Sequence, residues 1–110
     1  MTASTPTQVD LYWRPGCGFC SSLIRQLDKL GIDRVEHNIW EDPAAAEIVR
    51  THANGNETVP TVVIGEVGMV NPSAAQLAAH LAQHAPDLLP DGYVAPEPGP
   101  VGRALGKIFG

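Results

Sequence analysis

The apolar positions of this chain follow two periods. Val9-Asp10-Leu11-Tyr12-Trp13 alternates and is rich in β-formers, which predicts a strand. Pro15 and Gly16 mark a turn, after which Leu23, Ile24, Leu27 and Leu30 recur at helical spacing, so Gly18 to Leu30 reads as a helix with one apolar stripe. Gly31 suits the position just past that helix, and Arg34 to Ile39 reads as a second strand. Asp42-Pro43 is an N-cap followed by proline at the first helical position; the second helix is expected to reach about Thr51 with Ile48 and Val49 turned inward. Asn54-Gly55-Asn56 is a loop. Thr61-Val62-Val63-Ile64 is a continuous apolar run, the pattern of a strand buried on both faces, and Glu66 to Val70 is its hairpin partner, turning near Gly65 and Glu66. Asn71-Pro72-Ser73 caps a last helix in which Ala74, Leu77, Ala78 and Leu81 share a face.

The order βαβαββα predicts an α/β chain with a four-stranded mixed sheet flanked by three helices. A right-handed crossover between the first two strands puts the N-terminus of the first helix at the carboxyl edge of the sheet, where open α/β sheets bind ligands. Both cysteines fall there, in Arg14-Pro15-Gly16-Cys17-Gly18-Phe19-Cys20. Unpaired N–H groups and the macrodipole at a helix start favour an anion, so a thiol at Cys17 is expected to ionise readily, and Arg14 is a candidate to assist. A cysteine of pKa about 8.5 is only about 3% thiolate at pH 7, whereas one of about 6.5 is roughly three-quarters ionised. That gain is largely offset by weaker nucleophilicity; the larger benefit comes when Cys17 is the leaving group. Such a site suits turnover through mixed disulfides, with Cys20 one turn on to resolve them.

Two other readings of the pair exist. A lone C-x-x-C can be half of a zinc site, but zinc takes about four ligands and there is no second cysteine pair. His37, His52, His80 and His84 fall at no matching spacing and are expected to be solvated. A structural disulfide here would close a loop too short to restrict the unfolded chain much. Redox chemistry with no metal is the expectation.

At 110 residues the chain is one small domain with a modest core. A net charge of -5 argues against nucleic acid or an anionic membrane as partner. Residues 1–7 form a polar tail without the pattern of a signal peptide, no apolar run reaches membrane-spanning length, and two cysteines are too few for a stapled secreted fold. A cytoplasmic, monomeric protein is expected. The domain is expected to span residues 8–85. Residues 86–110 hold half of the ten prolines, which predicts an extended arm. It ends in Leu105, Ile108 and Phe109, either as a loose tail or packed on the domain or a partner.

Residues 8–85 resemble a glutaredoxin, with its thioredoxin-like fold, and are similar in particular to the mycoredoxin group of actinobacterial glutaredoxin-like proteins. The resemblance rests on Cys17-Gly18-Phe19-Cys20 after the first strand, Thr58-Val59-Pro60 before the third and Val70-Asn71-Pro72-Ser73 at the last helix. It implies a thiol–disulfide oxidoreductase in which Cys17 takes up a low-molecular-weight thiol from a mixed disulfide and Cys20 resolves. It also implies that Pro60 is cis and that Val59 offers its backbone to the ligand. Arg14, Phe19, Thr58, Val59, Pro60, Asn71 and Ser73 are then the candidate thiol-binding residues, with Arg50 a weaker one.

Where many glutaredoxins carry a glycine pair and acidic residues, this chain has Asn71-Pro72-Ser73. Few basic residues stand in reach of a glutathione carboxylate, so mycothiol is the expected co-substrate and glutathione the alternative, with no tightly bound cofactor. Tyr12 and Trp13 must point to opposite faces of their strand; one is expected in the core, while Phe19 contacts a partner and Trp40 packs or rims the groove. The implied partners are oxidised client proteins and a flavin-dependent disulfide reductase upstream. The rival readings are a thioredoxin-like dithiol donor, for example to ribonucleotide reductase, and an iron–sulfur carrier. Gly18-Phe19 resembles the monothiol carriers, but Cys20 stands where they have serine.

Overall fold

The computed structural model describes residues 7–93. Its elements run β1 (Asp10–Trp13), α1 (Gly18–Leu30), β2 (Val35–Asn38), α2 (Pro43–His52), β3 (Thr61–Ile64), β4 (Val67–Val70) and α3 (Ala74–His84), followed by a 3-10 turn at Pro86–Leu88. The sheet order is β2-β1-β3-β4. β1 pairs parallel with β2, and β3 pairs antiparallel with both β1 and β4. This is the open, mixed, four-stranded sheet with three helices that the element order predicts. No helix among the described residues is long and apolar enough to cross a membrane.

The predicted stops and starts have physical counterparts. Gly31 adopts φ 74°, where a side chain is strained, and its N–H closes the end of α1 on the Leu27 and Asp28 carbonyls. Asp42 accepts from the Ala44 N–H at 3.0 Å, with Pro43 at the first helical position of α2. Gly65, at φ 63°, is the first of the two loop residues between Ile64 and Val67, the place where a type II′ hairpin puts glycine.

The sheet separates two apolar layers. On one face α1 and α3 bury Leu11, Leu23, Leu27, Val62, Ile64, Leu77 and Leu81. On the other, α2 covers Tyr12, Ile39 and Val63 through Ala45, Ala46 and Val49. β3 lies inside the sheet with both faces covered, which is why Thr61–Ile64 reads as one unbroken apolar run. Each fully buried leucine contributes roughly 1.5–3 kcal/mol.

Two expectations change. Ile48 is exposed while Val49 is buried. Successive helical residues are about 100° apart, and α2 centres its buried face on Ala45, Ala46, Val49 and Ala53, which leaves Ile48 on the flank. The segment from Pro86 also does not leave the domain at once: Leu88, Leu89 and Tyr93 pack against the α1/α3 core. Leu105, Ile108 and Phe109 lie outside the described residues.

Gly68 shows how closely α2 sits on the sheet. A Cβ there would overlap the His52 ring and come within 2.8 Å of the His52 Cβ. Gly68→Ala should therefore cost about 1–3 kcal/mol in urea unfolding, and His52→Ala in the same chain should recover only part of it, since the crowding reaches the Cβ itself.

Candidate active site around Cys17 and Cys20

The turn Arg14–Gly16 carries the chain from the carboxyl end of β1 into α1, and Cys17 is the residue that caps the helix. Its backbone is extended, at φ -89° and ψ 107°, and its Sγ accepts the Cys20 N–H at 3.1 Å. Sulfur thus takes the place of the usual Ser or Asp oxygen at an N-cap. The Ser21 hydroxyl donates to the Cys17 carbonyl at 3.3 Å and pins the same turn. Cys17 and Cys20 form a disulfide with Cα atoms 5.2 Å apart. Cys17 retains 8% of its surface and Cys20 only 1%, so an incoming sulfur can reach the first and not the second.

Facing the pair is the Thr58–Pro60 turn, in which the Val59–Pro60 bond is cis. The Val59 carbonyl oxygen stands 3.7 Å from the Cys17 Sγ. The Thr61 hydroxyl donates to the Thr58 carbonyl at 2.8 Å, and the Asn71 N–H donates to the Pro60 carbonyl at 2.7 Å. Asn71 makes that bond from φ 51°, a conformation asparagine tolerates better than most residues. The start of α3 is therefore clipped to the turn that faces the cysteines.

Ser73 then caps α3, accepting the Gln76 N–H at 3.0 Å, while the Gln76 side chain accepts the Ser73 N–H at 2.8 Å. Between α1 and α3 this leaves a groove of about 270 Å³ lined by Phe19, Ser22, Leu23, Gln26, Asn71, Pro72, Ser73, Ala74 and Gln76. Its polar side chains are uncharged. A second cleft, of about 340 Å³, is lined by Val9, Gly31, Arg34, Val35 and Leu88 at the opposite end of the sheet, away from the sulfurs.

The sequence-predicted residues thus divide. Phe19, Asn71 and Ser73 share one groove, and Val59 meets the Cys17 sulfur directly. Pro60 is buried and Thr58 is turned to solvent. Arg14 lies elsewhere: its guanidinium sits over the Trp40 ring, 5.7 Å from the centroid, and donates to the Pro15 carbonyl at 3.1 Å. No described contact brings it to the Cys17 sulfur. Arg50 is paired to Glu57 at 3.0 Å. Tyr12 is core, stacked on His37, and its phenol is pushed up by burial and by Asp10 and Asp42. Trp13 packs half-buried against the α1/α3 layer, and Trp40 is largely exposed. Ser22, Gln26 and Gln76 are additions to the site. Only Gln76 left a signal, since Ser73-x-x-Gln76 is a capping-box spacing; Ser22 and Gln26 look like any outward helical residues until α3 is placed beside them.

The sequence profile of the Glutaredoxin family matches residues 9–69, more than half of the chain and inclusive of both cysteines and the cis-proline turn. The chain belongs to the glutaredoxin family. Two Mycobacterium tuberculosis proteins named as candidate glutaredoxins, from strains CDC 1551 and H37Rv, are each 37% identical over 74 residues, which span 66% of this chain and 88% of theirs. Among solved structures, the glutaredoxin-like NrdH-redoxin of Escherichia coli, described as having a thioredoxin-like activity profile, is 28% identical at a TM-score of 0.51, over 58% of this chain and 82% of that one. A variant of the thioredoxin-like protein BC3987 superposes at a TM-score of 0.58 with 21% identity, over 69% of this chain and 96% of that one, and speaks for the fold. This glutaredoxin is a thiol–disulfide oxidoreductase built on Cys17 and Cys20, working with a thiol co-substrate and oxidised proteins.

Ser73 both caps α3 and lines the groove, and the two roles separate by substitution. Ser73→Ala should lower stability by about 0.5–2 kcal/mol, whereas Ser73→Asp should keep the cap. If the hydroxyl also donates to a bound thiol, Ser73→Asp will raise KM for that thiol while its melting temperature stays near that of the parent.

Proposed function

We propose that this glutaredoxin reduces mixed disulfides between proteins and a low-molecular-weight thiol, with mycothiol preferred to glutathione. The Cys17 thiolate attacks the sulfur of the small thiol in the mixed disulfide. A Cys17–thiol disulfide forms, the original S–S bond breaks, and the client leaves as its thiolate. A second molecule of the small thiol then attacks the adduct, freeing Cys17 as a thiolate and departing as the symmetrical disulfide. In the alternative branch Cys20 attacks, giving the Cys17–Cys20 disulfide and releasing the small thiol; a flavin-dependent reductase upstream would regenerate the dithiol.

The observation that carries the choice of thiol is the neutral groove beside Phe19. Ser22, Gln26, Asn71, Ser73 and Gln76 offer amides and hydroxyls but no charge. Glutathione brings two carboxylates, which such a lining repays poorly once they lose water. An uncharged pseudodisaccharide carrying acetylcysteine offers hydroxyls that these groups can match. The pairing of Arg50 with Glu57 weighs the same way, because that guanidinium already has its carboxylate.

A second reading, a dithiol electron donor of the thioredoxin type, is favoured by the likeness to the NrdH-redoxin and by the internal disulfide. The cysteine variants distinguish the routes. Cys17→Ser should abolish activity under either. Cys20→Ser should keep most activity on mixed disulfides in the monothiol route and lose nearly all in the dithiol route. Mass spectrometry of the oxidised protein after incubation with equal mycothiol and glutathione should show chiefly the mycothiol adduct at Cys17; a predominant glutathione adduct would refute the preference.

A further inference from the structure

The four histidines differ in what their rings touch. His37 shares a hydrogen bond with Asp10 at 2.9 Å and is stacked on Tyr12. His52 lies against Gly68. His80 and His84, one turn apart on α3, enter none of the described side-chain hydrogen bonds or ion pairs. Their rings instead lie side by side, with centroids 4.6 Å apart and planes inclined by 35°. The buried face of α3 centres on Ala74, Leu77, Ala78 and Leu81, which puts both rings on one flank of the helix, His80 half-buried and His84 exposed. Their spacing matches nothing near the cysteines, yet on a helix a separation of four is the one that brings two side chains together.

The ring separation is what a shared metal ion requires. An imidazole nitrogen bound at about 2.0–2.1 Å puts its ring centre roughly 3.2 Å from the metal. Two such ligands subtending about 90–110° have centres about 4.5–5.2 Å apart. The observed separation falls in that interval, so the two rings stand within reach of one shared ion. An ordered helix also removes most of the cost of bringing the two ligands together.

We propose that His80 and His84 bind one divalent late transition-metal ion, with Cu2+ held more tightly than Ni2+ or Zn2+ and water completing the coordination. Imidazole suits these ions, and the general affinity order puts Cu2+ above its neighbours. Two protein ligands make an open site, unlike the closed four-ligand sets of structural zinc. It lies in the C-terminal turn and a half of α3, at the far end of that helix from the Ser73 cap, and uses neither cysteine. The Cys17–Cys20 disulfide therefore leaves it intact, whereas the reduced dithiol would compete for the same ion.

The full chain in its disulfide form, titrated with Cu2+ in a non-chelating buffer, tests this by calorimetry and electron paramagnetic resonance. One ion held by two nitrogen donors is the expected result. His80→Gln and His84→Gln should each weaken binding about tenfold or more, because either one turns a two-point attachment into a single point. His84→Gln combined with Ala82→His keeps the number of histidines but sets the rings about 200° apart around the helix, and should bind as poorly as the single variants. Circular dichroism identifies any variant that has unfolded. No binding by the parent, unchanged affinity in both single variants, or parent-like affinity in the repositioned one would each overturn the site.

Discussion

The structure depends on a hydrogen bond to sulfur, the Cys20 N–H donating to the Cys17 Sγ at the first turn of α1. A capping atom must satisfy donors that the helix leaves without partners, and here the atom that does so is also the reactive one. Ionisation strengthens that bond, since an anion accepts better than a thiol and sits at the positive end of the helix. The Val59 carbonyl, 3.7 Å from the same sulfur, pulls the other way, because it accepts from a thiol and repels a thiolate. The sulfur thus stands near both a backbone donor and a backbone carbonyl. Such a balance suits an atom that must serve as nucleophile in one step and leaving group in the next.

The rest of the fold keeps those opposing groups in place. β1 delivers the turn that carries Cys17, and β3, antiparallel beside it, begins at the turn that carries Val59. Because β3 is covered on both faces, its start cannot drift without disturbing both apolar layers. The Asn71 N–H then ties the Pro60 carbonyl to the start of α3, so the groove wall and the cis-proline turn move as one piece.

Much of this was legible in the residues, and the failures share a cause. The helix bounds at Gly31 and Asp42, the buried run of β3 and the α3 face all depend on neighbours in the chain, where period and capping chemistry operate. Cys17 and Cys20 were legible for the same reason. Ile48 lies outside the buried face because it falls about 100° from Val49 on the side away from Ala46 and Ala53, so the cluster of alanines is the better guide to that face. Arg14 is close to the thiol in sequence, yet its side chain settles on Trp40, which follows the carboxyl end of the neighbouring parallel strand β2. Ser22 and Gln26 gained their place from α3, some fifty residues away in the chain. What was missed was set by tertiary packing, which local pattern does not encode.

Charge decides what such a groove can hold. The chain has twelve acidic residues against seven basic ones, and among the described residues no basic side chain lines the groove. Arg14 lies on an aromatic face, and Arg50 is matched to Glu57. A thiol bearing carboxylates would lose hydration in the groove without meeting a basic side chain in its lining, and would face the net negative charge of the chain. A neutral thiol escapes both penalties and meets amides and hydroxyls that can replace its water one for one. The proposed preference for a neutral thiol thus rests on the absence of charge in the groove lining.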